Sequence, residues 1–363
     1  MGSNPSQKKL SVNLSWRARV LLLYLAALTF RLYICVARSF AAMAARRVVD
    51  HTVVGDWRLP DDEFLAKFKL PSPTEDRCTE LQKANPLGPR ENRIQFEEET
   101  HTYYIDGDTI APRSVTGLVH MYESSEFRPH EVVMQMKRGK RWPDKRLEYL
   151  KDDCDESMSD DDICERWSKN GKAASARGTL LHFHAECLLN GVEVAEPHSP
   201  EFKQLHCLNG MLGELGYRPF RTEVCLFSVG LCVAGQADAL YKHESTGHLC
   251  LLDWKRTKEI RIDNAWRSLR EPLESLADCN GWLYALQLNT YAWILEHEYD
   301  SVVAKMYLGH VHPNLGRGRL LEVPKLQGHM QLLVEDQIQR GLAVSAASAG
   351  PNAPFVLPQQ IEN

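Results

Sequence analysis

Acidic residues are missing from the first 49 positions, where Lys8, Lys9, Arg17, Arg19, Arg31, Arg38, Arg46 and Arg47 supply charge of one sign only. Long apolar runs are missing as well. The best of them, residues 20–30, ends at Arg31, well short of the roughly 20 residues needed to span a bilayer. No C-x-x-C pair occurs among the ten cysteines. A disulfide scaffold is therefore excluded in so long a chain, and free thiols are expected. The absence of a G-x-x-x-x-G-K-[ST] run excludes ATP hydrolysis by a phosphate-binding loop. What is there is ordinary globular material: 363 residues, 44% hydrophobic, 25% charged, with 22 Gly and 18 Pro. That composition excludes a wholly disordered, collagen-like or polytopic membrane protein. A formal net charge of -5 means that any polyanion partner must be met by a local basic surface.

The acid-free leader, residues 1–49, reads as a targeting or membrane-anchoring segment that contacts import machinery or a membrane. Arginine and serine without acid suit import into a mitochondrion or another organelle. A secretory signal is the second reading, since small residues Ala41, Ala42 and Ala44 follow the apolar stretch. A third is N-myristoylation, because Met1-Gly2 and Ser6 fit M-G-x-x-x-[ST] with Lys8 and Lys9 close behind. With Met43 as the true start, the upstream residues have no role and the cytoplasm or nucleus becomes the compartment.

Residues 50–90 carry Pro60, Pro71, Pro73, Pro86 and Pro89 with little periodicity, and read as a linker or arm. The folded domain is expected over 91–345, with a mobile tail over 346–363. Its first element is a small antiparallel sheet around Ile94, Phe96, Tyr103 and Ile105, followed by a helix capped at Ser114 or Thr116. The basic cluster Lys137, Arg138, Lys140 and Arg141 lies beside Trp142; it suits phosphate contacts with a base stacked on the indole, or else a solvated face. The carboxylates crowded between 152 and 165 lack calcium-loop spacing and read as an acidic helix start capped by Ser159.

The residues that carry chemistry lie between Arg177 and Tyr291. Gly178-Thr179 is expected to open a helix on which His182 and Glu186, one turn apart, share a face. Two apolar strands follow around a turn at Gly230, the first containing Glu223 and the second Asp238. A carboxylate in an apolar strand is costly unless paired or metal-bound. The third strand ends in Asp253-Trp254-Lys255, where strand alternation sends Asp253 and Lys255 to the same face. Acidic residues from neighbouring strands can hold a hard divalent cation while the ammonium orients a water or neutralises developing charge. An apolar helix then carries Gln287 and Tyr291 on one face. His310 and His312, expected on a later strand, lack acidic or cysteine partners nearby in sequence and read as structural.

The order G-T-x-x-H, E, G-x-x-D, D-x-K, Q-x-x-x-Y resembles the PD-(D/E)XK nuclease superfamily, in its RecB-like exonuclease branch. The resemblance covers about 94–313, with its motifs within 178–291. It implies an α/β fold: a restriction-endonuclease-like core in which a central mixed β-sheet carrying Glu223, Asp238 and Asp253 is flanked by the His182 helix and the Gln287/Tyr291 helix. It implies Mg²⁺ or Mn²⁺ held by His182, Asp238, Asp253 and the Trp254 backbone carbonyl, with Lys255 positioning the attacking water. Gln287 and Tyr291 would support the lysine and engage the nucleic-acid backbone, Glu223 would add an acid near the site, and Glu186 would support His182. The implied activity is metal-dependent hydrolysis of DNA, RNA not excluded, exonucleolytic and leaving 5′-phosphates. Lys137, Arg138, Lys140, Arg141, Arg256 and Lys258 are the expected backbone contacts. Some RecB-like nucleases bind an iron-sulfur cluster through cysteines beyond the Q-x-x-x-Y helix, but no cysteine follows Cys279, so no cluster is expected. The rival reading is a catalytically silent nuclease fold acting as a nucleic-acid-binding module.

Overall fold

The computed structural model describes residues 48–49, 59–68, 79–97, 100–107, 113–151, 154–194 and 199–348. Two units partition the chain, Met1–Val48 and Val49–Asn363, and every element below belongs to the second. The leader readings for residues 1–47 and the tail beyond 348 lie outside the described residues. Among the described residues no helix is long and apolar enough to cross a membrane, and the cysteines are free.

The chain forms a mixed α/β structure with helices on both faces of a central sheet. A separate hairpin of β1 (Ile94–Glu97) and β2 (Thr102–Ile105) is antiparallel, as the alternation around Phe96 and Tyr103 predicts. It packs through Ile94 and Tyr103 on Phe227 and Ala234 of the main sheet. The main sheet comprises β3 (Arg113–Ser114), β4 (Tyr217–Ser228), β5 (Val233–His243), β6 (Leu249–Arg256), β7 (Val303–Val311) and β8 (Arg319–Glu322). Strands β4, β5 and β6 run antiparallel in sequence, whereas β6 and β7 are parallel. A parallel pair needs a crossover, and α5 (Asn280–Glu298) supplies it.

The run Leu249-Cys250-Leu251-Leu252 is buried throughout, as expected of an interior strand covered on both faces. Leu249 and Leu251 join the core under α5 and α1 (Val115–His120), the latter followed in the chain by α2 (Pro129–Arg138). Cys250, Leu252 and Trp254 join the opposite core, with Leu181 and Ala185 of α3 (Asp160–Leu189) and Leu205, Leu208 and Leu212 of α4 (Pro200–Glu214). A last helix, α6 (Gln327–Ser348), follows β8.

Two local expectations need correction. Gly178-Thr179 does not open a helix but lies deep inside α3, which begins at Asp160. The start signal is the acidic stretch itself: Ser159 and Asp162 form a reciprocal capping box, and three aspartates occupy the first turn next to the positive helix end. The Thr179 hydroxyl is spent on the Ser175 carbonyl at 3.2 Å. Within the stretch read as a linker, Asp61–Lys67 and Glu80–Ala84 are helical. Phe64 is fully buried beneath the Arg177 guanidinium, which also pairs with Asp61. An aromatic ring with a cation over it anchors this segment despite its prolines.

The feature that positions the site is a fork. Strand β4 follows one edge of β5 along its length, while the other edge is shared: β3 pairs at Val233 and Ala234, and β6 pairs only from Ala239 onward. Between these, residues 235–238 of β5 have no strand partner on that edge among the described residues.

Candidate active site at the fork of the sheet

The backbone groups that the fork leaves open are met by side chains. The Trp254 amide donates to Asp238 Oδ2 at 2.7 Å, and the Tyr291 hydroxyl donates to the Gln236 carbonyl at 2.9 Å. Buried backbone groups must be paired, so the split in the sheet and the side chains around it form one structure. The Tyr291 hydroxyl also lies where a side chain on residue 235 would be, 2.6 Å from an ideal Cβ at Gly235.

Register brings the acids together. Thr222 pairs with Ala239 and Val224 with Ala237, which sets Glu223 opposite Asp238. Like charges directly opposed across a ladder are destabilising without a cation. Glu223 also adopts φ 47°, a left-handed conformation that costs energy in a non-glycine residue. His182 enters from α3: its Nδ1 lies 3.5 Å from Asp238 Oδ2 and its Nε2 lies 3.0 Å from the Trp254 carbonyl oxygen. Ligand-capable atoms of His182, Glu223 and Asp238 all fall within 4.8 Å of one another.

On β6, Asp253 is 2% exposed, and Lys255 Nζ lies 3.1 Å from its Oδ1 and 2.8 Å from its Oδ2. The second contact is an ion pair without hydrogen-bond alignment, so Asp253 Oδ2 is buried with no hydrogen-bond donor. Burial pushes the Asp253 carboxyl up to about 6; Lys255 pulls it down and Asp238 adds to the rise. Burial alone would depress the Lys255 ammonium, but Asp253 and Asp238 outweigh it and hold its pKa above the ordinary lysine value. Lys255 is thus a fixed positive charge at neutral pH. Gln287 Oε1 accepts from it at 3.2 Å, and the Tyr284 ring lies 4.6 Å beneath it.

The donor set of imidazole nitrogen and carboxylate oxygens, with an unsatisfied buried oxygen on Asp253, fits a small hard divalent cation. Of the expected set, His182 lies beside both Asp238 and the Trp254 carbonyl, but the third acid grouped with His182 and Asp238 within 4.8 Å is Glu223 rather than Asp253, whose carboxylate is turned to Lys255. Glu186 is buried one turn beyond His182.

Other expected residues fall elsewhere. Tyr291 is 3% exposed in the core, where burial raises its phenol well above the usual value. It braces β5 as a neutral donor and cannot reach a nucleic-acid backbone, because its turn of α5 faces the sheet. Arg256 is turned away from solvent into an ion pair with Glu201 at 3.0 Å, whereas Lys258 is exposed. Lys137 pairs with Asp160 at 2.5 Å, and the Trp142 ring stacks on Tyr149, which removes it as a free platform for a base. Arg138, Lys140 and Arg141 are exposed. Their anchor at Asp160 is about 33 Å from His182 along α3 at 1.5 Å per residue. His310 bonds the Thr257 carbonyl at 2.8 Å and His312 is buried, in keeping with a structural role.

Two residues went unnoticed in the sequence. Tyr284 precedes Gln287 by one turn, a spacing that marks a shared helix face. Gly309 lies beside Trp254 in the register; a Cβ there would come within 2.4 Å of the indole, so the glycine makes room for the ring whose carbonyl faces His182.

Solved structures that resemble parts of the chain include the following two. One, SSO0001, is 18% identical, with 62% of this chain and 74% of that one covered at a TM-score of 0.26. The other, named "Putative exonuclease" and from Eubacterium rectale, is 12% identical, with 54% of this chain and 83% of that one covered at a TM-score of 0.30. At these TM-scores neither likeness establishes a shared activity. No family model matches the chain, and no curated protein matches it.

Proposed function

We propose that the chain is a metal-dependent nuclease that hydrolyses phosphodiester bonds in DNA, acting as an exonuclease of the PD-(D/E)XK, RecB-like type. The observation that carries this reading is the gathering of His182, Glu223 and Asp238 within 4.8 Å beside the Asp253–Lys255 pair. Three carboxylates and one ammonium leave an excess of negative charge in a partly dry fork, which a divalent cation relieves.

His182, Asp238, Asp253 and the Trp254 carbonyl would hold Mg²⁺ or Mn²⁺, with Glu223 adjacent. When bound, such an ion polarises a phosphate oxygen and acidifies a coordinated water. The chain's own groups do the rest. Lys255, kept protonated by the two aspartates, acts as a hydrogen-bond donor and positive charge for the attacking water and the phosphorane-like charge that develops. Gln287 and the Tyr284 ring fix its reach. Tyr291 holds β5 so that Asp238 stays at the fork. Exposed Lys258 suits the backbone near the site, and Arg138, Lys140 and Arg141 suit phosphates roughly ten base steps away.

Digestion of end-labelled single strands and duplexes with and without Mg²⁺ tests this, alongside Asp253→Ala and Lys255→Ala. Cleavage that needs the ion and vanishes in both variants is expected. Metal-independent binding with no cleavage by the unaltered chain would favour the silent binding module instead. The acid-free leader supports import into a mitochondrion or another organelle. A fluorescent fusion of residues 1–49 tests that reading against acylation.

A further inference from the structure

Trp266 is 92% exposed and Ile262, four residues earlier, is 70% exposed. They lie on the segment 257–279, which leaves β6 just after Asp253 and Lys255 and enters α5 ahead of Gln287. A tryptophan this open is unusual, because an indole ordinarily buries most of its surface. The backbone beneath it is well tied. The Trp266 amide donates to Asn264 Oδ1 at 3.1 Å, Asn264 Nδ2 donates to the Asp278 carbonyl at 2.7 Å, and the Asp278 amide donates to the Arg267 carbonyl at 3.0 Å. Leu269, Leu273 and Leu276 anchor the same segment in the main core. The ring is therefore an open aromatic face on a fixed support.

The support is also tied to the site-bearing helix. The Gly281 amide donates to the Arg261 carbonyl at 2.9 Å and Trp282 Nε1 donates to the Ile262 carbonyl at 2.8 Å. From Ile262 the chain can travel at most about 14 Å to Trp266, and Trp282 precedes Gln287 by about 7.5 Å of helix rise. Trp266 thus lies at most a few nucleotide lengths from Lys255. Exposed Lys258, Arg267 and Arg270 lie on the same segment among exposed Glu259, Asp263, Glu271 and Glu274, so its cations act singly rather than as a net positive patch, and the aromatic face is its distinguishing feature.

We propose that Trp266 is a stacking platform for an unpaired base of a single-stranded nucleic acid whose backbone continues into the fork; this rests on the nuclease reading above. Stacking on an exposed indole needs a base face that a duplex keeps within its own stack, so the platform selects single strands or frayed ends. The neighbouring cations meet the phosphates on either side.

The test compares the full chain with Trp266→Ala and Trp266→Phe. Anisotropy with labelled oligothymidylate in chelator gives affinity, and initial rates in Mg²⁺ on single strands and blunt duplexes give KM and kcat. Trp266→Ala is expected to weaken oligothymidylate binding roughly tenfold or more, with the loss in cleavage falling on KM for single strands. Trp266→Phe should recover most of it. Melting temperatures should match, since the ring buries little. Equal oligothymidylate affinity in Trp266→Ala and the unaltered chain overturns the platform even if cleavage is robust, and so does an equal loss on duplex. If the unaltered chain cleaves nothing while binding still depends on Trp266, the nuclease reading falls and the platform stands.

Discussion

Lys255→Met isolates the charge balance of the fork. The variant keeps an unbranched apolar stem close to that of lysine and removes the ammonium. In the native structure that ammonium contacts Asp253 at 2.8 and 3.1 Å with a side chain only 17% exposed, and it rests on the Tyr284 ring. Removing one partner of a buried ion pair costs about 3–5 kcal/mol, because the other charge is left uncompensated. In a domain this large each kcal/mol moves Tm by about 2–4 °C, so a fall of roughly 6–20 °C is expected at pH 7.5 in chelator. The deficit must shrink on acidification. Asp253 already has a folded pKa near 6, above the ordinary carboxylate value, so the fold favours its protonated form and its ionisation costs stability as pH rises through that value. Losing Lys255 raises the pKa further, and below about pH 5 the carboxyl is neutral in both proteins. Titrating Mn²⁺ at pH 7.5 should raise Tm more in the variant than in the native chain, because the ion replaces the missing positive charge. The assay is a thermal melt by circular dichroism over pH 4.5–8. A variant that melts within 2 °C of the native chain at pH 7.5 would refute the claim that Lys255 holds the acids together.

Three further outcomes follow from the same geometry. Gly309→Ala places a Cβ against the Trp254 indole at 2.4 Å; overpacking should cost about 1–3 kcal/mol in urea unfolding and weaken Mn²⁺ binding through the displaced Trp254 carbonyl. Gly171→Ala, in the exposed interior of α3 with nothing within 4 Å, should stabilise by about 0.5–1 kcal/mol, measured in the same way. Divalent-dependent cleavage should decline as pH falls through about 6, where Asp253 takes up a proton, and a higher Mg²⁺ concentration should move that decline to lower pH; a pH profile that ignores Mg²⁺ would contradict the assignment of Asp253 as a ligand.

Much of the site was legible because periodicity within one element fixes which side chains share a face. Asp253 and Lys255 had to project together from a strand, and Gln287 had to sit a helical turn from its neighbours. The Ser159 cap was legible for the same local reason, whereas Gly178 misled because a glycine inside a helix that is held by packing costs too little to end it. Tyr291 and Arg256 were misjudged in another way. Their residue types suit phosphate contact, but the depth of each below the surface depends on what packs over it, and α5 and Glu201 decide that.

The sequence by itself determined the hydrophobic strands, the long capped helix and the set of acids, imidazole and amine available for chemistry, since these follow from local periodicity and side-chain type. Only the tertiary structure decided that β5 and β6 part at Asp238, that Glu223 faces Asp238, and that a capped helix delivers His182 between Asp238 and the Trp254 carbonyl. Those relations are distances between elements far apart in the chain, and they are set by register and by which edge each strand occupies, quantities to which no local pattern is sensitive.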